Sequence, residues 1–209
     1  MNLSITVVLI ILTAITSFYG INNTSFMERW MFIPHTIKRE KQWDRFITSG
    51  FIHKDYIHLL FNMFTFYFFG GVVERLFAYS FGPILGGALF VTFYLFGIII
   101  SDIPTYLKNQ DNSYYRALGA SGGTAATVFA SIIILPLDKI CLFGILCLPG
   151  FALGILFLIY SAIQARRDAD GINHDAHFYG AVFGIVVILV LFPQSGVNFM
   201  QEIISYRPF

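Results

Sequence analysis

The stretch Phe81-Gly-Pro-Ile-Leu-Gly-Gly-Ala-Leu-Phe-Val-Thr-Phe-Tyr-Leu-Phe-Gly-Ile-Ile-Ile-Ser101 carries no Asp, Glu, Lys or Arg. A helix that crosses a bilayer needs about 20 mostly apolar residues, and this run supplies them. Five further stretches of the same kind surround it: Leu3–Ile21, His58–Phe77, Gly119–Leu137, Ile140–Ala162 and Ala176–Phe192. The pattern predicts an all-α membrane protein with six transmembrane helices, organised as a single domain over residues 1–209 without a soluble accessory domain. Composition agrees, since 56% of residues are hydrophobic and the mean hydropathy is +0.71, far above the soluble norm.

Only 12% of residues are charged and the formal net charge is +1, so no basic field exists to hold nucleic acid. The two cysteines, Cys141 and Cys147, both fall in the fifth apolar stretch. Read as part of one helix they sit on different sides of it, as packing residues. The first stretch lacks a preceding Lys or Arg and exceeds a typical signal-peptide core, so it reads as a retained helix. The long polar section Asn22–Ser49 still contains Trp30, Met31, Phe32 and Trp43, which suits a loop resting in the membrane interface.

Polar side chains inside apolar helices are costly, so those present mark where function is to be sought. Three groups stand out: Gly50 to Asn62, entering the second stretch; Gly119-Ala-Ser121-Gly-Gly123, opening the fourth; and His174-Asp-Ala-His177-Phe-Tyr-Gly180, opening the sixth. His58 and Asn62 lie four apart, hence on one helix face. Taken alone, such a pair is more often a hydrogen-bonding glue between helices. Small residues surround Ser121, so another chain can approach it closely, as a nucleophile requires. The blander alternative is a small-residue helix contact whose serine bonds back to its own helix. The G-x-S-x-G match is uninformative about fold, because the strand that precedes a hydrolase nucleophile elbow is missing.

His177 opens a helix whose next turns carry Gly180, Ala181 and Gly184, and the fourth helix offers Gly122, Gly123, Ala125 and Ala126. If these small faces meet, Ser121 and His177 lie at matching depths, within possible reach as a nucleophile and its base. Asp175 lies two residues from His177 and points elsewhere, so the pattern predicts a dyad rather than a triad.

The three groups, in this order on helices two, four and six, resemble the rhomboid family of intramembrane proteases. The resemblance spans nearly the whole chain. Its strongest portions are Gln42-Trp43-Asp-Arg45-Phe-Ile-Thr48-Ser-Gly-Phe-Ile-His53, His58-Leu-Leu-Phe-Asn62-Met, the serine motif and Ala176-His177-Phe-Tyr-Gly180. It implies a six-transmembrane-helix rhomboid bundle in which Ser121 is the nucleophile and His177 the general base and acid. His58 and Asn62, helped by the Ser121 N–H, would stabilise the oxyanion. His53, Gly119, Gly122, Gly180 and Gly184 would be structural. The substrates implied are single membrane-spanning segments of other proteins, entering sideways from the lipid bilayer, with no cofactor and no metal. The setting implied is a multi-pass protein of the cell membrane, in a prokaryote the plasma membrane. The loop Gln164 to Asn173, containing Gly171, would be the mobile cap.

Two features depart from the family pattern. The position one turn after the serine, often aromatic, is Ala125, so Tyr179 or Phe129 is expected to support the imidazole. Ten of the thirteen Lys and Arg (Arg29, Lys38, Arg39, Lys41, Arg45, Lys54, Lys108, Arg116, Arg166 and Arg167) fall on the active-site side of the six-helix map. The positive-inside rule turns such a protein over, whereas the family arrangement, adopted here as the expectation, opens the mouth to the outside.

Among rival readings, a catalytically weak or silent relative that binds membrane clients would be expected to lose the serine or histidine, and both are present. A transporter or channel would carry polar residues along a path rather than clustered at one depth. Zinc chemistry lacks H-E-x-x-H and an obvious Glu base. His35 and His174 read most simply as loop histidines, and Asp102 as the end of helix three.

Overall fold

The computed structural model describes residues 4–142, 145–167 and 171–207. Along them run α1 (Ile5–Ile21), α2 (Thr24–Trp30), α3 (Pro34–Glu40), α4 (Arg45–Thr48), α5 (Tyr56–Phe81), α6 (Pro83–Asn109), α7 (Ser121–Ile134), β1 (Lys139–Leu142), β2 (Leu146–Pro149), α8 (Gly150–Arg167), α9 (His174–Leu191) and α10 (Pro193–Ser205). The chain is mostly helical. Among the described residues, α5, α6 and α9 are long and apolar enough to cross a membrane, while α1 and α7 are apolar but shorter.

Local chemistry sets the boundaries. Asp55 caps α5, its carboxylate accepting from the His58 N–H at 2.7 Å. Gly82, at φ +79°, makes the turn into α6, and Pro83 occupies the first turn of the new helix, where its missing N–H costs nothing. Contrary to expectation, Asp102 does not end this helix. α6 continues to Asn109 because Asp102, Thr105 and Asn109 are buried and find partners: Asn173 for the first two, the Thr105 carbonyl for the third.

The fifth apolar stretch is likewise not one helix. Pro149 cannot sit inside a helix that starts at Ile140, and the residue before it favours extended backbone. Lys139–Leu142 and Leu146–Pro149 instead pair antiparallel, with Cys141 opposite Cys147, and the two are joined by a disulfide at a Cα–Cα distance of 3.9 Å. The helical packing role expected for these cysteines is thereby replaced by a cross-strand bond. The hairpin closes onto the end of α7, where the Gly150 N–H donates to the Asp138 carbonyl and the Phe151 N–H to that of Pro136.

α7 is the axis of the bundle, with α5, α6 and α9 packed around it and Gly122 to Thr127 wholly buried. A Cβ on Gly180 would overlap the Gly122 carbonyl oxygen, and one on Gly184 would overlap that of Ala126. The two helices therefore touch backbone to backbone, as the small residues on both faces allow. The outer surface is apolar: Leu60, Phe61 and Phe64 of α5 and Ile155, Leu156 and Ile159 of α8 are exposed. So large an apolar exterior fits a lipid surround.

The section before α5 folds over one end of the bundle. Phe32 and Ala117 form an antiparallel bridge, and Phe32 packs edge-on to Phe46 at 5.0 Å. Arg45 is buried, donating to the carbonyls of Glu28 at 2.8 Å and Met31 at 2.7 Å. These contacts anchor the segment that leads into α7.

Candidate active site

Gly119, at φ +120°, turns the chain into α7, and its N–H donates to the Ser49 carbonyl at 2.9 Å. Its lack of a side chain is also required sterically: a Cβ there would lie 2.6 Å from His58 Cε1 and 3.0 Å from Nε2. Ser121 follows as the first residue of α7, half-buried. The helix is capped by Ala120, which has no side-chain acceptor to offer. Its first-turn N–H groups thus carry the positive end of the helix dipole toward the site without a side-chain cap.

His53 holds this entry in place. The Ala120 N–H donates to His53 Nε2 at 3.3 Å, so Nδ1 carries the proton and donates to Ser17 Oγ at 2.9 Å. The ring is 0% exposed, and burial pushes its pKa from the ordinary 6.5 down to about 3, which keeps it neutral. His58 stacks edge-on to His53 at 4.9 Å and lies against Gly119. Its Nδ1 is buried with no hydrogen-bond partner among the described residues. Asn62, one turn further on, is buried and donates to the His58 carbonyl at 3.1 Å.

His177 lies in the first turns of α9, its N–H donating to the Asn173 carbonyl at 3.3 Å. The contacts of 122 with 180 and of 126 with 184 run α7 and α9 parallel, which puts His177 two residues from the level of Ser121, an axial offset of about 3 Å. The structure thus brings Ser121, His58 and His177 to one end of the bundle. Ser121 lines a small cavity together with Ser49, Ser101, Asp102, Gly119 and Asn173.

Tyr179 is exposed. Among the described residues, Phe157 of α8 lies beside His177, 6.1 Å away and inclined at 31°, and is backed in turn by Phe129 at 5.7 Å. His174 is not a loop histidine but a buried residue opening α9, its ring 5.7 Å from that of His177 and 5.5 Å from Tyr160. His35 lies within α3. Of the expected cap, Gln164 to Arg167 belong to α8 and Asn173 caps α9, while residues 168–170 lie outside the described residues. The sequence reading missed Asp102, Asn173 and Phe157. Only Asn173 left a signal, as a cap-type residue just before an apolar helix.

A helical bundle with an apolar exterior, and with serine and histidine side chains gathered at one end of it, defines a membrane protein with a polar site between its helices. A Rhomboid domain profile matches residues 40–194, and the chain belongs to the rhomboid family. It is 27% identical over 169 residues to the chloroplastic rhomboid-like protein 11 of Arabidopsis thaliana, covering 75% of this chain and 56% of the relative. The mitochondrial rhomboid-like protein 12 of the same plant is 26% identical, over 67% of this chain and 44% of the relative. YdcA of Bacillus subtilis (strain 168), whose name assigns it provisionally to the rhomboid proteases, is 28% identical over 70% of this chain and 66% of its own. The chain spans about half the length of the plant relatives.

Proposed function

We propose that the chain is an intramembrane serine endopeptidase of the rhomboid type, built on six transmembrane helices. In this reading Ser121 is the nucleophile, His177 its base, and the substrates are single transmembrane segments of other membrane proteins. The observation that carries it is the glycine-mediated contact of α7 with α9, which brings both residues to one end of the bundle with an axial offset of about 3 Å. α7 has 14 residues, hence a length of about 21 Å against a hydrocarbon core of about 30 Å, so one of its ends must lie below the membrane surface, and in this reading it is the Ser121 end.

The chemistry follows from the groups present. His177 takes the proton as Ser121 Oγ bonds to the scissile carbonyl carbon. The oxyanion so formed meets the uncapped Ser121 N–H, with His58 and Asn62 as further donors. The C–N bond then breaks, and His177 passes its proton to the leaving amine. Water, activated by His177, hydrolyses the acyl-serine. Donors aimed at the developing charge in a dry site are each worth about 10²- to 10³-fold in rate. His53 and the glycines at 119, 122, 180 and 184 hold the frame. The bilayer is the plasma membrane of a prokaryote.

A silent relative that binds membrane clients is favoured by a single observation: the Asn62 amide points to its own helix, at the His58 carbonyl. A serine-reactive phosphonate probe and a model transmembrane substrate separate the two readings. The detergent-solubilised protein should be labelled and should cut the substrate, and Ser121→Ala and His177→Ala should abolish both. Asn62→Ala should slow kcat by up to about 10²-fold without abolishing it. Undiminished cleavage by folded Ser121→Ala would sink the dyad.

A further inference from the structure

Asp102 is a buried carboxyl group in the last third of α6, 8% exposed and directly after the apolar run that ends at Ser101, and packing alone gives no reason to place one there. Its side chain meets Asn173, whose Nδ2 donates to Asp102 Oδ1 at 3.1 Å. One turn along α6, Thr105 Oγ1 donates to Asn173 Oδ1 at 2.8 Å. The two α6 residues therefore hold opposite ends of one amide and fix which way it faces. The same Oδ1 accepts from the Ala176 N–H at 3.1 Å, and the Asn173 carbonyl accepts from the His177 N–H. Asn173 is thus both the cap of α9 and the point at which α9 is fastened to α6.

We propose that Asp102 and Asn173 form a clamp that fixes the first turn of α9 and, through it, the imidazole of His177. Asp102 is a positioning residue, acting through Asn173. The inference rests on the function proposed above for His177, but the clamp itself can be read without catalysis. A neutral amide at 102 can still accept from Asn173 Nδ2, so Asp102→Asn should keep most of the effect, whereas Asp102→Ala removes the acceptor. Asn173→Ser keeps an oxygen to cap α9, but its shorter side chain lacks the amide that donates to Asp102 and accepts from Thr105. It isolates the clamp from the cap, and it remains informative if an alanine variant fails to fold.

The test combines steady-state cleavage of a model transmembrane substrate with hydrogen exchange of the amides of residues 174–178. Asp102→Ala and Asn173→Ser should each lower kcat by about 10- to 100-fold, with KM within about 2-fold. The double variant should be no slower than the worse single one, because both act through one contact. Asp102→Asn should stay within about 3-fold of the wild type. Exchange at residues 174–178 should rise about 10-fold in both single variants and not in Asp102→Asn. Unchanged exchange, or losses that multiply in the double variant, would overturn the clamp. If the wild type neither labels nor cleaves while exchange still rises, the protease reading falls and the clamp stands as the determinant of where α9 begins.

Discussion

Burial holds the His53 imidazole neutral down to about pH 3, while in the unfolded chain it takes up its proton near 6.5. Between those values the unfolded state binds more protons. The contribution of His53 is therefore complete above pH 6.5 and is lost as the pH falls toward 3. The expected outcome is a thermal midpoint of the solubilised protein that drops between about pH 7 and pH 5, with a shallower drop in His53→Gln. Equal slopes would mean that the ring is not sealed between Ser17 and Ala120. The family resemblance implied a structural role for this ring, but its partners left no local signal, since Ser17 and Ala120 lie far from it along the chain. Phe157 was illegible for the same reason. No spacing rule links a ring on α8 to a histidine on α9, whereas Tyr179 and Phe129 belong to the helices that carry His177 and Ser121.

Where helices meet backbone to backbone, the sequence told more. Gly180 and Gly184 at i and i+4 announced a close face, and that face packs on Gly122 and Ala126. Gly184→Val forces the α9 backbone away from the Ala126 carbonyl. It should cost about 1–3 kcal/mol or more, seen as a lower thermal midpoint together with lost substrate cleavage. A variant with the wild-type midpoint would show that the contact is not tight. The hairpin was missed because the apolar count over Ile140–Ala162 ignored Pro149, a residue whose ring already forbade that helix. Its disulfide closes a short loop, with a sequence separation of 6. On the chain-entropy account its removal costs about 2 kcal/mol. Because the hairpin lies at the far end of α7 from Ser121, Cys141→Ser should lower the thermal midpoint and leave kcat unchanged. A fall in kcat would tie the hairpin to the site. Asp102 was misread as a helix end because a carboxyl in an apolar run is cheaper outside it. Only the fold reveals that Asn173 pairs with it.

Across the whole molecule, the hydrophobic pattern located the apolar helices α1, α5, α6, α7 and α9, while the handover of chain from α7 to α8 and the covering layer of α2 to α4 depended on pairings that no single stretch contains. The completed bundle also bears on its orientation. α7 begins at Ser121 and ends beside the hairpin, so the Cys141–Cys147 bond and the candidate site occupy opposite ends. Disulfides persist on the oxidising side of a membrane, and Lys and Arg gather on the inner side. Arg29, Lys38, Arg39, Lys41, Lys54 and Arg116 all belong to the end that carries Ser121, whereas the hairpin end holds Arg75, Lys139 and Arg207. Charge and disulfide agree, and together they predict a mouth that faces inward, the reverse of the family arrangement taken as the expectation from sequence. Single cysteines placed at the exposed positions Ser113, beside the mouth, and Gln201, on α10, in a Cys141→Ser, Cys147→Ser background, decide the matter. In intact cells an impermeant maleimide should label Gln201→Cys and reach Ser113→Cys only after permeabilisation. The native cysteines, alkylated after denaturation in cells kept free of reductant, should be blocked until a reductant is added. Labelling of Ser113→Cys in intact cells, with Gln201→Cys protected and the native thiols free, would restore the outward mouth. It would also show that the two cysteines face each other across the hairpin without being joined in the cell.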